Sequence, residues 1–168
     1  IGLSSDEKYF MITSSDHNTS EQYYFKIDEN NPNPKLIQKR KRGIIYSVNS
    51  WDGYFYKHTN ENAEDFKIDR CNDLVEQNWE PFVNAKDEVL IGGLVFLNNW
   101  IIRSETSNAL GKIILRNPKT NEEEEIVFSD EKVIVPSISL IQKDKDTDNV
   151  YLSYSSPKTP GRTFLYNL

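Results

Sequence analysis

Cysteine is almost absent from this sequence: Cys71 is the only one in 168 residues. An intrachain disulfide is therefore excluded, and a chain without disulfides suits a reducing compartment, so we expect a cytoplasmic location. Long apolar runs are absent as well, because the longest, residues 89–102, is broken by two glycines and two asparagines. Such a run is too short and too polar to span a bilayer. We therefore expect neither a signal peptide nor a membrane partner.

Basic residues are in the minority, with 20 Lys and Arg against 26 Asp and Glu and a net charge of −6. Nucleic acids and anionic membranes are bound through basic surfaces, so this balance argues against both partners. Aromatic residues, in contrast, make up 12% of the chain, whereas disordered chains contain few of them. The sequence therefore predicts a folded, acidic domain that is long enough to bury a core.

Helical periodicity is scarce, and short runs rich in β-branched and aromatic residues alternate with polar turns. Strands are predicted at residues 8–13, 22–27, 44–48, 54–58, 66–68, 88–91, 94–97, 100–104, 112–116, 125–128, 133–135, 150–153 and 163–166. Turn signals such as Asn30-Asn31-Pro32 and Thr159-Pro160-Gly161 separate them. Many short strands at even spacing indicate a sandwich, a barrel or a propeller.

An internal repeat distinguishes among these folds. Four similar strands carry an aromatic residue in second place, followed by an apolar residue and a polar exit: Tyr9, Tyr54, Trp100 and Tyr151. They recur at intervals of roughly 45 to 50 residues, the period of a four-stranded propeller blade. Each is followed by a second strand, and two of these second strands, residues 25–28 and 66–69, share the letters Phe-Lys-Ile-Asp.

The repeat predicts an all-β fold, a partial β-propeller of about three to four blades of four antiparallel strands. The approximate blades are residues 1–42, 43–86, 87–131 and an incomplete 132–168. An incomplete ring leaves strand edges open, so edge-mediated self-association is expected. A single β-sandwich, whose strands look alike only through shared composition, stays open as the alternative. Because the chain starts at Ile1 without Met, we also expect a piece of a longer protein.

Several stretches resemble a known family when they are taken in order. Residues 12–21 contain a Thr-Ser-Glu turn, residues 38–48 place a basic stretch before a tyrosine strand, and residues 55–68 place a Phe-Tyr strand before a Thr-Asn turn. Residues 79–82 and 89–93 look like the following blade boundary, and residues 152–160 contain Tyr-Ser-Ser-x-x-Thr-Pro. This ordered set resembles the prolyl oligopeptidase family of serine peptidases, in its oligopeptidase B branch, and covers essentially the whole chain.

The resemblance implies the C-terminal part of a seven-bladed propeller that caps an α/β-hydrolase domain and admits only short peptides, which the oligopeptidase B type cleaves after Lys or Arg. The expected function is therefore a non-catalytic propeller segment that acts as a steric filter, with the catalytic domain and short peptides as partners. Its channel would be lined by the first strand of each blade, such as Ile44–Val48 and Leu94–Leu97. Within the family, a prolyl endopeptidase is the alternative.

A stand-alone propeller that serves as an interaction scaffold is the alternative from another class. The Trp-Asp signature of WD repeats occurs once, at Trp51-Asp52, and the double glycine of kelch repeats occurs once, at Gly92-Gly93. Both scaffolds would need these signatures in every blade. The sequence therefore favours the peptidase propeller over the scaffold.

Catalytic chemistry is not predicted for this chain. A serine hydrolase of this class needs the nucleophile elbow G-x-S-x-G, and none of the seven glycines brackets a serine in that way. The two histidines, His17 in a polar turn and His58 at a strand exit, are expected to be solvated or hydrogen-bonded. Cys71 is expected to be a buried or half-buried thiol. We assign no catalytic, cofactor-binding or metal-binding residue and expect no cofactor.

Four weaker signals receive structural explanations. We predict a solvated turn for the basic run Lys39–Arg42 and a water-facing hairpin turn for the acidic run Glu122–Glu125. The run Asp144–Asp148 imitates the start of a calcium loop, but it lacks the Gly and Glu that such a loop requires later. Asn18-Thr19-Ser20 is a glycosylation sequon, which matters only in a secreted protein.

Overall fold

The computed structural model describes residues 1–128, 136–140 and 145–168, and everything below refers to these. They contain no helix, and hence none that could cross a membrane. Fifteen β-strands form four antiparallel sheets, each of which follows chain order from one strand to the next. The chain divides into two compact units, Ile1–Asp87 and Glu88–Leu168, with two sheets in each.

The first unit contains two four-stranded meanders. The first sheet comprises β1 (Gly2–Leu3), β2 (Tyr9–Ser15), β3 (Ser20–Lys26) and β4 (Lys35–Gln38). The second sheet comprises β5 (Tyr46–Trp51), β6 (Tyr54–Thr59), β7 (Lys67–Cys71) and β8 (Glu80–Val83). The second unit contains the other two sheets. They comprise β9 (Leu90–Phe96), β10 (Ile101–Ser107), β11 (Leu110–Arg116) and β12 (Glu123–Glu125), then β13 (Ser137–Leu140), β14 (Asn149–Tyr154) and β15 (Arg162–Asn167).

The core of the first unit lies where its two sheets face each other. Alternate side chains along a strand point to the same face, so apolar residues at every second position bring one face of each sheet into contact. The first sheet contributes Met11, Tyr24 and Ile37, the second contributes Tyr46, Val48, Phe55 and Cys71, and the turn after β7 contributes Leu74. All eight are at most 9% exposed.

The phenol of Tyr46, on β5, closes an irregularity in the opposite sheet. The ladder between β3 and β4 shifts register after Gln22, so that Ile37 becomes the extra residue of a β-bulge. The Tyr46 hydroxyl accepts hydrogen bonds from the amides of Gln22 at 2.8 Å and Gln38 at 3.2 Å, and donates to the Gln38 carbonyl at 2.7 Å. A bulge leaves backbone groups unpaired, and Tyr46, which is 2% exposed, satisfies them from the neighbouring sheet.

The second unit has its own apolar core. It is formed between its two sheets by Leu97, Ile102, Ile113, Leu115, Ile126, Val150 and Leu152, all at most 4% exposed. Within this core, Ile102 of β10 and Leu115 of β11 are direct cross-strand partners. This core is therefore built in the same way as the core of the first unit.

One strand was predicted as two. The sequence predicts separate strands at residues 88–91 and 94–97, divided by Gly92-Gly93, but β9 continues through both glycines. The register between β9 and β10 shifts there, so that the two glycines lie opposite the single residue Ser104. A Cβ atom on Gly92 would lie 2.1 Å from Ser104 Oγ, whereas one on Gly93 would contact nothing. The glycines therefore form a β-bulge with close backbone approach rather than a break.

The other strand predictions vary in accuracy. The hydrophobic strands of each sheet appear within a few residues of their predicted bounds, but Gly2–Leu3, Lys35–Gln38, Glu80–Val83 and Ser137–Leu140 were not predicted. These missed strands are short, and three of the four lie beside or contain a proline, which weakens the strand signal. The predicted strand at 125–128 is displaced, because β12 covers Glu123–Glu125. The prediction at 133–135 lies outside the described residues.

Candidate functional site

The titratable groups singled out in the sequence do not converge. His17 lies exposed in the bend between β2 and β3. His58 lies within β6 rather than at its exit, and its ring stacks on Phe66 with the centroids 4.6 Å apart. Phe55 is the cross-strand partner of Cys71, and alternation places His58 on the other face of that sheet. These three groups are therefore not a catalytic constellation.

Cys71 is a buried thiol, as predicted, with 3% of its surface exposed. Its Sγ donates to the carbonyl of Asp73 at 3.3 Å. Burial raises the pKa of the Cys71 thiol to about 11, because the thiolate would lose its hydration. A thiolate is the reactive form of cysteine, so this side chain is inert near neutral pH. Within the described ranges, no group of three His, Cys, Asp or Glu side chains could hold a metal ion.

The basic run Lys39–Arg42 forms an exposed turn after β4, as predicted. Arg40 reaches back to the β2–β3 turn, where its guanidinium lies 3.3 Å from Asp16 and donates to the Ser14 carbonyl at 3.0 Å. Lys41 lies 3.3 Å from Glu61. Carboxylates therefore pair with two of the four cations of this run.

The acidic run Glu122–Glu125 is not a hairpin turn, and that prediction was wrong. Residues Glu123–Glu125 form β12, the edge strand of their sheet, paired with β11. Glutamates are poor strand formers, but here they face cations on neighbouring strands. Glu125 lies 2.9 Å from Lys112, and Glu123 binds both Arg103 and Arg116. Cross-strand charge pairs of this kind stabilise a sheet.

A buried ion network, which the sequence did not reveal, extends from this edge into the sheet. Arg103 on β10 is 4% exposed and Glu105 is 6% exposed. The Arg103 guanidinium donates to Glu105 through Nε at 2.8 Å, and to both oxygens of Glu123 at 2.7 and 2.8 Å. Burial alone would lower the pKa of Arg103, but the hydrogen bonds that it donates to Glu123 and Glu105 outweigh burial and raise the pKa.

The segment that imitates a calcium loop is tied to a turn of its own unit. Asp144 lies outside the described residues. The carbonyl of Lys145 accepts from the amide of Asn98 at 2.8 Å, the carboxylate of Asp146 accepts from the Asn98 side chain, and that of Asp148 accepts from Asn99 at 3.0 Å. These acids therefore serve as hydrogen-bond acceptors for the β9–β10 turn.

The sequon is also part of a turn. Thr19 is 6% exposed, and its hydroxyl donates to the carboxylate of Asp16 at 3.0 Å, while Asn18 is half-buried. Hydrogen bonds from the Asn18 amide and then from Thr19 lower the pKa of Asp16. These contacts give the sequon residues a structural role in the β2–β3 turn.

A concave site does exist in the first unit, between its two sheets. A cavity of about 450 Å³ opens beside the ends of β3 and β7. We call it the aromatic pocket, defined by the rings of Tyr9, Tyr24 and Phe55 together with the acids Glu29 and Asp73. The Tyr9 ring meets Phe55 edge-on at 5.1 Å and Tyr24 at 6.0 Å. Pockets with apolar walls and a few polar groups are the usual binding sites of small ligands.

Exposed charged groups of both signs line the aromatic pocket, Glu29 and Asp73 beside Lys26 and Lys35. Burial raises the pKa of Tyr9 and Tyr24, and nearby carboxylates raise both further. Asp73 acts on both hydroxyls, Asp6 and Asp28 act on Tyr9, and Glu29 acts on Tyr24. The exposed Lys26 and Lys35 line the mouth. Sequence reasoning missed this pocket, although two of its aromatic residues lie in repeated strand positions that a blade alignment places on facing sheets.

The comparisons with known proteins give a consistent result. A family model described as the prolyl oligopeptidase N-terminal beta-propeller domain matches residues 1–168. Protease 2 of Moraxella lacunata is 29% identical over 180 residues, which cover 100% of this chain and 24% of that protein. The chain thus spans about a quarter of the length of the curated relative.

Solved structures show the same fold. Oligopeptidase B from Trypanosoma brucei, in a closed form with covalently bound antipain, aligns with a TM-score of 0.84 at 18% identity. The alignment covers 99% of this chain and 25% of that one. Prolyl oligopeptidase B from Galerina marginata aligns with a TM-score of 0.79 at 19% identity, over 98% and 24%. The predicted fold class is confirmed: the four sheets are blades of a partial β-propeller, and the β-sandwich alternative is wrong.

Proposed function

The chain belongs to the prolyl oligopeptidase family, as part of its N-terminal β-propeller domain, and from this premise we propose that it is a non-catalytic segment of a serine oligopeptidase. The observation that carries the proposal is the family match over all 168 residues of a sequence without a G-x-S-x-G elbow. In this proposal the nucleophile, its histidine and its aspartate belong to an α/β-hydrolase domain, and the propeller contributes shape alone. We further propose blades at residues 1–42, 43–86, 87–131 and 132–168.

The proposed task of the segment is to filter substrates by size. A propeller encloses a central channel, and a peptide must lose most of its conformational freedom to pass through a narrow opening. Short unstructured peptides lose less than long chains, and folded domains cannot enter. The first strand of each blade would line the channel, which here corresponds to β5 and β9. The proposed setting is the cytoplasm.

Such a filter requires blades that hold their shape. The contacts within each unit support this requirement: the buried phenol of Tyr46 bridges two sheets through Gln22 and Gln38. In the second unit, the buried guanidinium of Arg103 joins β10 to β12. Both are buried hydrogen-bonded groups, which rigidify a structure when they are fully satisfied.

The first experiment locates the nucleophile in the whole protein that contains this chain. The protein is labelled with a fluorophosphonate, digested and analysed by mass spectrometry. We expect one labelled serine, outside residues 1–168, and loss of peptide hydrolysis on labelling. A serine labelled inside this chain would overturn the non-catalytic role. A whole protein that neither labels nor cleaves peptides would instead favour the interaction scaffold.

The second experiment tests the filter. Unstructured peptides of about 8, 30 and 100 residues carry one identical scissile site, and kcat/KM is measured for each with the whole protein. We expect kcat/KM to fall steeply with length. The variant Arg103→Met, which loosens the third blade, should raise the long-to-short ratio, and Lys112→Met, on the exposed face of the same sheet, should not. The filter is contradicted if kcat/KM does not depend on peptide length and if Arg103→Met leaves the long-to-short ratio of kcat/KM unchanged.

Substrate specificity is the third proposal. Because the ordered motifs resemble the oligopeptidase B branch and Protease 2 is a curated relative, we propose cleavage after Lys or Arg. The fold is shared with a prolyl oligopeptidase as well, so proline specificity is the competing outcome. Matched fluorogenic peptides with Arg, Lys or Pro before the scissile bond distinguish the two, and a preference for Pro would overturn the basic specificity.

A further inference from the structure

The connection between the first two sheets has properties that the filter role does not require. It comprises residues 39–45, between the end of β4 at Gln38 and the start of β5 at Tyr46. We call it the basic linker, because it opens with the run Lys39–Arg42. Residues 39–43 are all exposed. Exposed loop tips of this kind are the preferred sites of proteolytic cleavage in folded proteins.

The backbone of the basic linker is weakly held. Within the part of the chain that the structure describes, none of the amides of residues 39–43 donates a hydrogen bond. The carbonyls of Lys41 and Gly43 accept from the Ile44 amide at 3.0 Å and from the Asn60 side chain at 2.9 Å. An extended peptide is gripped through its main-chain groups, so few bonds must open before a protease can hold this segment. Gly43, at a φ of 81°, can become extended without a steric penalty.

The side chains of the basic linker single out one bond. Arg40 and Lys41 are the two cations that pair with carboxylates. Lys39 and Arg42 have no ion-pair partner among the residues that the structure describes, but Lys39 directly follows β4, whose residues are paired in the first sheet. Arg42 has several residues outside any strand on both sides. The bond between Arg42 and Gly43 is therefore the most accessible bond after a basic residue in this segment.

Buried hydrogen bonds between the two sheets would hold them together after a cut. The Ser20 hydroxyl donates to the Tyr46 carbonyl and accepts from the Tyr46 amide, both at 2.7 Å. The Gln22 side chain accepts from the Val48 amide at 2.7 Å and donates to the Val48 carbonyl at 3.3 Å. Ser20 and Gln22 are 2% and 4% exposed. These side chains pair with the edge of β5 as a neighbouring strand would, beside the apolar core that the two sheets share.

We propose that the Arg42–Gly43 bond is a processing site for a protease of trypsin-like specificity, and that its cleavage gives a two-chain form in which both sheets stay folded and associated. The guanidinium of Arg42 enters the acidic specificity pocket of such a protease. Water adds across the peptide bond, which leaves a carboxylate on Arg42 and an ammonium group on Gly43, and nothing else is consumed. The inference does not rest on the proposed peptidase function, because this chain is the substrate of the cut.

The test uses the whole protein with its reactive serine blocked by a fluorophosphonate and the excess reagent removed. Trypsin is added under native conditions, and samples taken over time are analysed by native and by denaturing mass spectrometry. We expect the first cut within residues 1–168 to fall between Arg42 and Gly43. Both pieces should stay in one complex until they are denatured. Chymotrypsin, which cleaves after aromatic residues, should leave the basic linker intact, because residues 39–45 contain no aromatic residue.

Variants locate the bond. Arg42→Gln should slow cleavage of the basic linker by about fivefold, because the cut must move to a cation that is held by an exposed ion pair or that directly follows β4. Adding Glu61→Gln to Arg42→Gln should restore part of the rate, because it releases Lys41. Lys119→Gln is the control: this lysine is also exposed in a turn, but its amide donates to Asn117 at 2.9 Å, and the rate at the basic linker should not change.

Four results would overturn the proposal. These are a first cut at another bond of residues 1–168, an unchanged rate in Arg42→Gln, dissociation of the two pieces under native conditions, and resistance of the basic linker until the whole protein unfolds. The outcome is separate from the peptidase function, because blocked or inactive protein is equally a substrate of trypsin. A protein that hydrolyses peptides but resists trypsin at this bond refutes this inference alone.

Discussion

Replacing Arg103 by methionine tests whether the buried ion network holds the third blade together. The guanidinium makes hydrogen bonds of 2.7 to 2.8 Å to Glu105 and Glu123. Methionine keeps much of the volume but removes the positive charge from a carboxylate, Glu105, that is only 6% exposed. Removing one partner of a buried ion pair costs about 3–5 kcal/mol, because the other charge stays in a poorly solvated site.

The cost is large enough to measure locally. Each 1.36 kcal/mol is a factor of ten in an equilibrium constant, so the opening equilibrium of β10 and β11 should increase roughly 10²- to 10⁴-fold in Arg103→Met. Native-state hydrogen exchange of residues 101–116, followed by mass spectrometry in the whole protein, measures that opening directly. The double variant Arg103→Met with Glu105→Leu should recover most of the loss, because an apolar pair of similar volume often replaces a buried ion pair without cost.

The control is an exposed ion pair in the same sheet. Lys112 lies 2.9 Å from Glu125, with 47% and 42% of the two side chains exposed. Exposed pairs of this kind contribute about 0–1 kcal/mol, so Lys112→Met should change exchange by less than about fivefold. Equal effects of Arg103→Met and Lys112→Met, or failure of the double variant to recover protection, would refute the reasoning.

Three further predictions concern single side chains. Gly92→Ala should destabilise the protein by about 1–3 kcal/mol, because the new Cβ would collide with Ser104 across the bulge. Gly93→Ala should not, because a Cβ at that position contacts no other atom. The melting temperatures of the two variants test this difference. Tyr46→Phe should lower the free energy of unfolding by about 2–3 kcal/mol, because the backbone groups at the bulge lose their hydrogen-bond partner. Urea unfolding measures this, and an unchanged urea midpoint would contradict the role of the hydroxyl. Burial raises the pKa of Cys71 from 9.0 to about 11, so the stability contributed by the neutral thiol is retained below pH 9 and lost as the pH rises to 11. Relative to Cys71→Ala, the wild type should lose about 2–3 kcal/mol of unfolding free energy over this range. Parallel plots of unfolding free energy against pH for the two proteins would disprove this.

The repeat was visible in the sequence because a blade imposes the same physical demand four times. Each blade needs apolar residues at alternate positions and a polar exit, and the aromatic residues Tyr9, Tyr54, Trp100 and Tyr151 mark those strands. Edge strands lack this demand. β12 consists of three exposed glutamates, and nothing in its composition distinguishes it from a turn, because it is paired through cations on β10 and β11 that its own residues do not record.

The candidate site was less accessible to sequence reasoning. The absence of a nucleophile elbow is a property of the letters alone. The aromatic pocket is not, because Tyr9 and Phe55 are 5.1 Å apart only after two sheets have packed face to face. Gly92-Gly93 is a second feature that only the tertiary structure shows. The two glycines suggest a turn locally, but they form a β-bulge opposite Ser104, whose side chain leaves no room for a Cβ on Gly92.

The sequence by itself determined the class of fold, the blade period and the family resemblance, since these rest on local alternation and on the order of motifs along the chain. Only the tertiary structure decided which charged side chains are buried and where a cavity is left. Arg103 and Glu105 are exposed to no more solvent than core residues are, and Tyr24, which packs against Tyr9, also lines a cavity. Burial and cavities arise from contacts between strands that are far apart in sequence, which no local pattern records.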